Sequence, residues 1–171
     1  TLTAVCARDR ARDRGVDLSV VRWVDHPVEL AAAGDVDLVV ELIGGTNDPA
    51  AALIDSALEA GKSVVTANKA LLAERAMQLA VVCEASGASL AYEAAVAGGI
   101  PVIKTLREAL AGNKMNRISG ILNGTCNFIL SQMENEGVSF EKALKDAQKL
   151  GFAEAEPDLD ISGMDAAQKL A

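Results

Sequence analysis

Short apolar runs and amphipathic stretches alternate through the first half of the chain, with glycine, proline and charged clusters between them. Residues 1–7 (TLTAVCA) predict a buried strand, and residues 18–24 alternate enough for a second. Between them, residues 8–14 form a short charged helix or turn that Gly15 stops. Asp25-His26-Pro27 is a turn, with the proline suited to a helix start. Residues 37–43 (DLVVELI) are a continuous apolar strand interrupted only by Glu41, and Gly44-Gly45 breaks it. Thr46-Asn47-Asp48-Pro49 then opens a helix whose apolar face is Leu53, Ile54, Ala57 and Leu58, ending at Gly61. Residues 62–66 are the next strand, 69–85 a long helix, and 89–92 a further short strand. Strands alternating with helices across short loops predict βαβ units and a parallel, doubly wound sheet.

From Ala94 the pattern changes. Residues 102–111 are helical and Gly112-Asn113 stops them; 117–122 predict a strand, and Asn123-Gly124-Thr125 leads into a helix through 133. Ser139 caps another helix, in which Phe140, Ala143, Leu144, Ala147 and Leu150 keep a period of about 3.6 residues. Pro157 makes residues 154–160 an irregular loop, and a short helix starts near Ser162. The division expected is a partial dinucleotide-binding domain over 1–100 and a partial substrate-binding, catalytic domain over 101–171.

Half of the 171 residues are hydrophobic and only 3% aromatic, so the core must be aliphatic and alanine-rich, which suits helices packed on a sheet. The net charge of −8 argues against nucleic acid as a partner. Five arginines nevertheless fall between Arg8 and Arg22, as a solvated helix face or a local phosphate site. The three cysteines have neither metal spacing nor a CxxC pair, which fits free thiols in a reducing compartment. No apolar run reaches a membrane span, and the start has arginines but no signal-peptide core, so no membrane is expected and the cytoplasm is the expected location. His26, the single histidine, falls beside a proline in a turn and is expected on the surface.

Ligands of parallel sheets bind beyond the carboxyl ends of the strands. Gly44-Gly45, Ala67-Asn68-Lys69 and Glu93 all fall at those ends. Lysine is disfavoured at the positive end of a helix, so Lys69 at the start of one points to a role beyond the surface. The last stretch, GFAEAEPDLDISGMDAAQKLA, places five carboxylates within twelve residues and then a single lysine. Asp165 and Lys169, four apart, share a helix face. Two readings are open: a loop and pair that bind a small cationic or amphoteric substrate and move a proton, or a capping box (Ser162 to Asp165) with an ordinary surface pair.

GFAEAEPDLDISGMDAAQKL resembles the signature of the homoserine dehydrogenases. ELIGG (41–45), VVTANKALLA (64–73), YEAAVAGGIPVI (92–103) and GILNGTCNFIL (120–130) match the same family in order, from about Asp35 to Ala171. Glu156, Gln168 and Cys126 depart from the usual aspartate, histidine and threonine. The resemblance implies a Rossmann-like parallel sheet followed by the start of an α+β substrate and dimerisation domain. It implies NAD(P)-dependent interconversion of L-aspartate 4-semialdehyde and L-homoserine, toward threonine and methionine.

In the family the counterparts of Lys169 and Asp165 are the catalytic pair. That of Glu154 holds the substrate amino group, that of Asp160 helps bind substrate, and that of Gly151 touches the cofactor. The family gives the counterpart of Lys69 an active-site role, toward substrate carboxyl or cofactor; Gly44 and Gly45 are expected to line the cofactor from their place at a strand end. A sodium ion is implied at Glu93, with the backbone oxygens of Val96, Gly98 and Ile100; the residues themselves suggest only a loop with one buried acid. The first strand and its G-x-G-x-x-G loop are not in the sequence, so residues 1–7 correspond to a second strand. Arg8 then follows strand two, where an arginine takes a 2′-phosphate, favouring NADP over NAD. The expectation is an internal piece of a homo-oligomeric, dimeric enzyme, inactive alone. A non-catalytic nucleotide-binding or dimerising module is the alternative.

Overall fold

A computed structural model describes residues 1–171. The chain forms two compact units, Thr1–Ile100 and Pro101–Ala171.

The first unit is α/β and all of its strand pairs are parallel. The ladder is interrupted: β1 (Ala4–Val5) pairs with β2 (Arg22–Trp23) as one sheet, and β3 (Leu38–Glu41), β4 (Ser63–Thr66) and β5 (Leu90–Ala91) form another in that order. The strands expected over 1–7 and 18–24 shrink to two residues each, and Ala4 and Val5 are half-buried rather than buried. Residues 8–14 form bends instead of a helix.

In β3 the pleat turns Val39 and Glu41 inward, while Leu38 and Val40 stay 48% and 55% exposed. Val39 is level with Val64, and Glu41 with Thr66, so the buried face continues into β4. Helix α2 (Ala50–Glu59) packs on both strands, with Ala50, Leu53, Ile54, Ala57 and Leu58 as its apolar stripe. Helix α3 (Lys69–Ser86) adds Leu71, Leu72 and Leu79. It starts where the Asn68 side chain accepts from Leu71 N at 3.2 Å, and ends at Gly87, whose φ of 75° is the left-handed conformation glycine adopts freely. Each fully buried leucine contributes about 1.5–3 kcal/mol. Helix α1 (Val28–Ala32) ends without a basic residue of its own, and Lys62 reaches back to the carbonyls of Leu30 and Ala33 in its place. His26 is exposed, as expected. The short helix α4 (Glu93–Val96) closes the unit.

The second unit contains no strand. Helix α5 (Val102–Lys104) runs into a π-helical turn, Thr105–Ala109. Residues 117–122, expected as a strand, form no regular element, are mostly exposed and have no neighbouring strand to complete a ladder. Helix α6 (Gly124–Glu136) packs against α7 (Phe140–Lys149). Ile129 there meets Ala143, Ala147 and Ala153, with Phe128, Met133 and Leu144 around them. Ser139 caps α7 as expected, its hydroxyl accepting from Lys142 N at 3.3 Å, but Phe140 and Leu150 remain exposed. The expected irregular loop stops at Pro157: residues 158–161 are a helical turn, α8 (Asp158–Ile161), whose amides reach back to the proline carbonyl. Gly163, with φ 79°, makes the corner into α9 (Met164–Leu170). No helix is long and apolar enough to cross a membrane.

Candidate functional site

In the first unit three of the candidates, Gly44, Gly45 and Lys69, follow the carboxyl ends of β3 and β4, where a polar network fixes the glycine turn. Glu41 is fully buried at the end of β3. One of its oxygens accepts from the backbone N–H groups of Ile43 and Gly44, at 2.6 and 2.8 Å. The other accepts from the Thr66 hydroxyl at 2.5 Å. Thr66 Oγ1 accepts in turn from Asn68 N at 3.0 Å, and Asn68 Nδ2 donates to Gly45 O at 2.8 Å. Gly44 and Gly45 adopt φ 79° and 86°, and no protein atom lies within 4 Å of where a Cβ would stand on either. A cofactor can therefore approach bare backbone at this turn, which fits the expectation for Gly44 and Gly45. Lys69 is the first residue of α3, directly after Asn68. Glu41 and Thr66 lie outside the expected site residues, and Asn68 is expected only as part of the strand-end loop. The one polar interruption of an apolar strand, Glu41, was the sequence signal for them.

Arg8 lies beyond β1, exposed, with no hydrogen-bond or ion-pair partner in the protein. Its neighbours are engaged: Arg10 pairs with Asp25 at 2.5 Å, and the guanidiniums of Arg10 and Arg14 lie over the Trp23 ring. Glu93 opens α4 and is half-buried. Gly98, with φ 62°, turns the chain after it, and Ile100 N donates to Ala97 O at 3.1 Å. No group of three or more His, Cys, Asp or Glu side chains is arranged to hold a metal.

In the second unit Asp160, Asp165 and Lys169 come together. Asp165 is 5% exposed, and Lys169 Nζ donates to its Oδ2 at 2.7 Å. The same ammonium donates to Leu122 O at 2.8 Å. Only 20% of the Lys169 side chain is exposed. This is not the surface pair of the capping-box reading. The N-terminal corner of α9 is Gly163, Ser162 Oγ accepts from Met164 N at 3.4 Å, and Asp165 is buried. Asn123 Nδ2 donates to both Asp160 Oδ1 and Asp165 Oδ2, each at 2.8 Å, and Thr125 Oγ1 lies 3.2 Å from Asp160 Oδ2. Thr125 has one hydroxyl proton and its nearer acceptor is Phe152 O at 2.6 Å, so Asp160 Oδ2 keeps lone pairs open to a ligand. The Cys126 thiol donates to Asp160 O at 3.1 Å. Burial raises the Cys126 pKa, and the nearby Asp160 and Asp165 charges raise it further, so the thiol stays protonated.

Gly151, at φ 78°, ends α7 with open space beside it. The loop after it is fixed by Phe152 N and Ala153 N donating to Ala147 O, by Phe152 stacking on Phe128 at 4.8 Å, and by Gln148 donating to Glu154 O. The Glu154 carboxylate is exposed and takes no part in the Asp160–Asp165–Lys169 network. Asn123 and Thr125 were also missed as site residues. Their signal is the NGT run, which local pattern reads only as a helix opening.

Comparison with known proteins joins the two halves. The family model for the NAD binding domain of homoserine dehydrogenase matches residues 1–93, and the homoserine dehydrogenase model matches residues 101–171. A homoserine dehydrogenase of Neisseria gonorrhoeae is 48% identical over 169 residues, 99% of this chain and 38% of that one. That of Bacillus subtilis is 42% identical over 171 residues, and the match covers 39% of it. The crystal structure of a homoserine dehydrogenase from Thiobacillus denitrificans superposes with TM-score 0.81 at 47% identity, over 89% of this chain and 35% of that one. A hyperthermophilic archaeal homoserine dehydrogenase in complex with NADPH gives TM-score 0.76 at 34% identity, over 85% and 44%. The chain thus spans well under half the length of these relatives. With parallel strands carrying a bare glycine turn, a buried carboxylate–lysine pair, and family matches over both units, the chain belongs to the homoserine dehydrogenase family.

Proposed function

We propose that these residues are the cofactor-binding and proton-delivering part of an enzyme that interconverts L-aspartate 4-semialdehyde and L-homoserine. The observation that carries the reading is the geometry of Lys169. An ammonium has three N–H groups. Leu122 O and Asp165 Oδ2 take two, and no protein acceptor takes the third. A bound nicotinamide supplies or accepts the hydride at the substrate carbon. In the reducing direction Lys169 donates its third proton to the oxygen on which charge develops, and Asp165 keeps the ammonium aimed. In the reverse direction the neutral amine takes that proton back. Glu154 offers an exposed carboxylate to the substrate amino group, beside a loop whose backbone is pinned at Ala147. Asp160 adds a second carboxylate, Lys69 a cation for the substrate carboxyl or the cofactor, and Gly151 an open backbone position for the cofactor.

The finer assignments belong to the same reading. Arg8, with no partner of its own, is suited to a 2′-phosphate and favours NADP. Glu93, with the oxygens of Val96, Gly98 and Ile100, is assigned a sodium ion, as hard cations take oxygen ligands. The enzyme is a cytoplasmic homodimer serving threonine and methionine synthesis.

The test is steady-state kinetics in a full-length chimera, with this sequence replacing the equivalent segment of the Neisseria gonorrhoeae relative. Lys169→Ala should lower kcat by roughly 10²–10⁴-fold and leave the cofactor KM nearly unchanged. Asp165→Asn should give a related defect, and the double variant should fall far short of the product of the two. A kcat for Lys169→Ala within about threefold of the parent, under 1 kcal/mol in the barrier, would reduce the pair to a structural ion pair.

A further inference from the structure

We infer that Asn123 is a positioning residue for proton delivery, holding both carboxylates of the cluster, and through them Lys169, with one side-chain amide. The inference rests on the reading that Lys169 delivers the proton.

Asn123 is buried at the start of α6 and uses every hydrogen-bonding group of its amide. Its Oδ1 accepts from Cys126 N at 2.7 Å, which caps the helix. Its Nδ2 donates to Asp160 on α8 and to Asp165 on α9. The amide has only this orientation open to it: turned over, its oxygen would face two carboxylate oxygens and its nitrogen a backbone N–H. A cap alone needs one acceptor, and serine or aspartate supplies that as well as asparagine does. The two N–H bonds have no part in capping. They tie two separate helices to the same atom.

The consequence for Lys169 is direct. Asp165 Oδ2 accepts from both Asn123 and Lys169, so Asn123 sets where that oxygen stands. The other acceptor of the ammonium is Leu122 O, on the residue just before Asn123. Leu122 and Asn123 thus govern both fixed contacts of Lys169, and the direction of its third N–H follows from those two. A displacement of about 1 Å in such a group can cost roughly 10²-fold in rate.

The experiment uses the same full-length chimera and compares Asn123→Ser and Asn123→Asp with Lys169→Ala. Serine keeps the cap and removes both donors. Aspartate keeps the cap and replaces the donors with a carboxylate facing two others. The expected result is a kcat roughly 10–10²-fold lower in Asn123→Ser and lower still in Asn123→Asp. The KM for the nicotinamide cofactor should stay near the parent value, while the thermal midpoint of Asn123→Ser falls with the protein still folded at the assay temperature, since Asp160 and Asp165 each lose a donor. The solvent deuterium isotope effect on kcat should rise, because the proton transfer becomes slower; a purely structural role would not move it. A kcat within about threefold of the parent in Asn123→Ser, with an unchanged isotope effect and with Lys169→Ala still inactive, overturns the inference and leaves the reading of Lys169 intact. A fully active Lys169→Ala overturns both. Loss of the folded state in both Asn123 variants assigns the residue to the fold alone and overturns the inference.

Discussion

Around α2, α3 and the β3–β5 sheet, thirteen buried apolar residues form one cluster, whereas the cluster of Pro101–Ala171 has four members, three of them alanine. The second unit makes up the difference with polar bonds. Asn123, Thr125, Asp160, Asp165 and Lys169 connect α6, α8 and α9 where the first unit would use leucines. In the first unit the residues that keep the fold and those expected to meet the cofactor are different sets. In the second they are largely the same set. A substitution in the first unit should therefore separate stability from chemistry, and one in the second should mix them.

The sharpest break of this contrast is Leu58→Ala in the full-length chimera. Leu58 is fully buried on α2, and the cavity left by its removal should cost about 2–5 kcal/mol of stability. The kcat per folded molecule should hold near the parent value, the opposite of Lys169→Ala. A thermal midpoint that stays put while kcat falls would erase the distinction between the units. A smaller effect is expected from Arg8→Ala. Losing one arginine–phosphate contact should raise the KM for NADPH about tenfold, about 1.4 kcal/mol, with NADH nearly untouched. Equal loss for both cofactors would remove Arg8 from the 2′-phosphate. The smallest is Glu93→Gln, which should flatten the dependence of activity on sodium by a few-fold, in line with one lost oxygen charge. Titrating the parent chimera with sodium against potassium checks it, and a flat parent curve would leave Glu93 without an ion.

What was legible in the sequence follows the same division. Period and punctuation placed α2, α3, β3 and β4 within a residue or two, because amphipathic stripes, Asn68 and Gly87 act locally. The glycine turn at 44–45 and the strand ends were readable for the same reason. The strand expected at 117–122 failed because a strand exists only with a neighbour, and local pattern carries no information about one. The helical turn at 158–161 was hidden because Pro157, taken as a breaker, instead begins it. Asp165 and Lys169 were legible as a pair from their spacing and as candidates from the family resemblance. Their burial was not, since it depends on Asn123 and Leu122, more than forty positions earlier.

The network under the glycine turn has one further property. Gly44 N to Glu41, Glu41 to Thr66, Thr66 to Asn68, and Asn68 to Gly45 O make a closed circuit that returns to its starting dipeptide. In a linear chain of bonds, one break frees everything beyond it. In a circuit, each member stays attached from the other side. The turn is therefore ordered before any ligand arrives, and the entropy of fixing it is settled during folding rather than drawn from binding. A glycine pair, the most pliable dipeptide the code offers, is made here into a stationary rim.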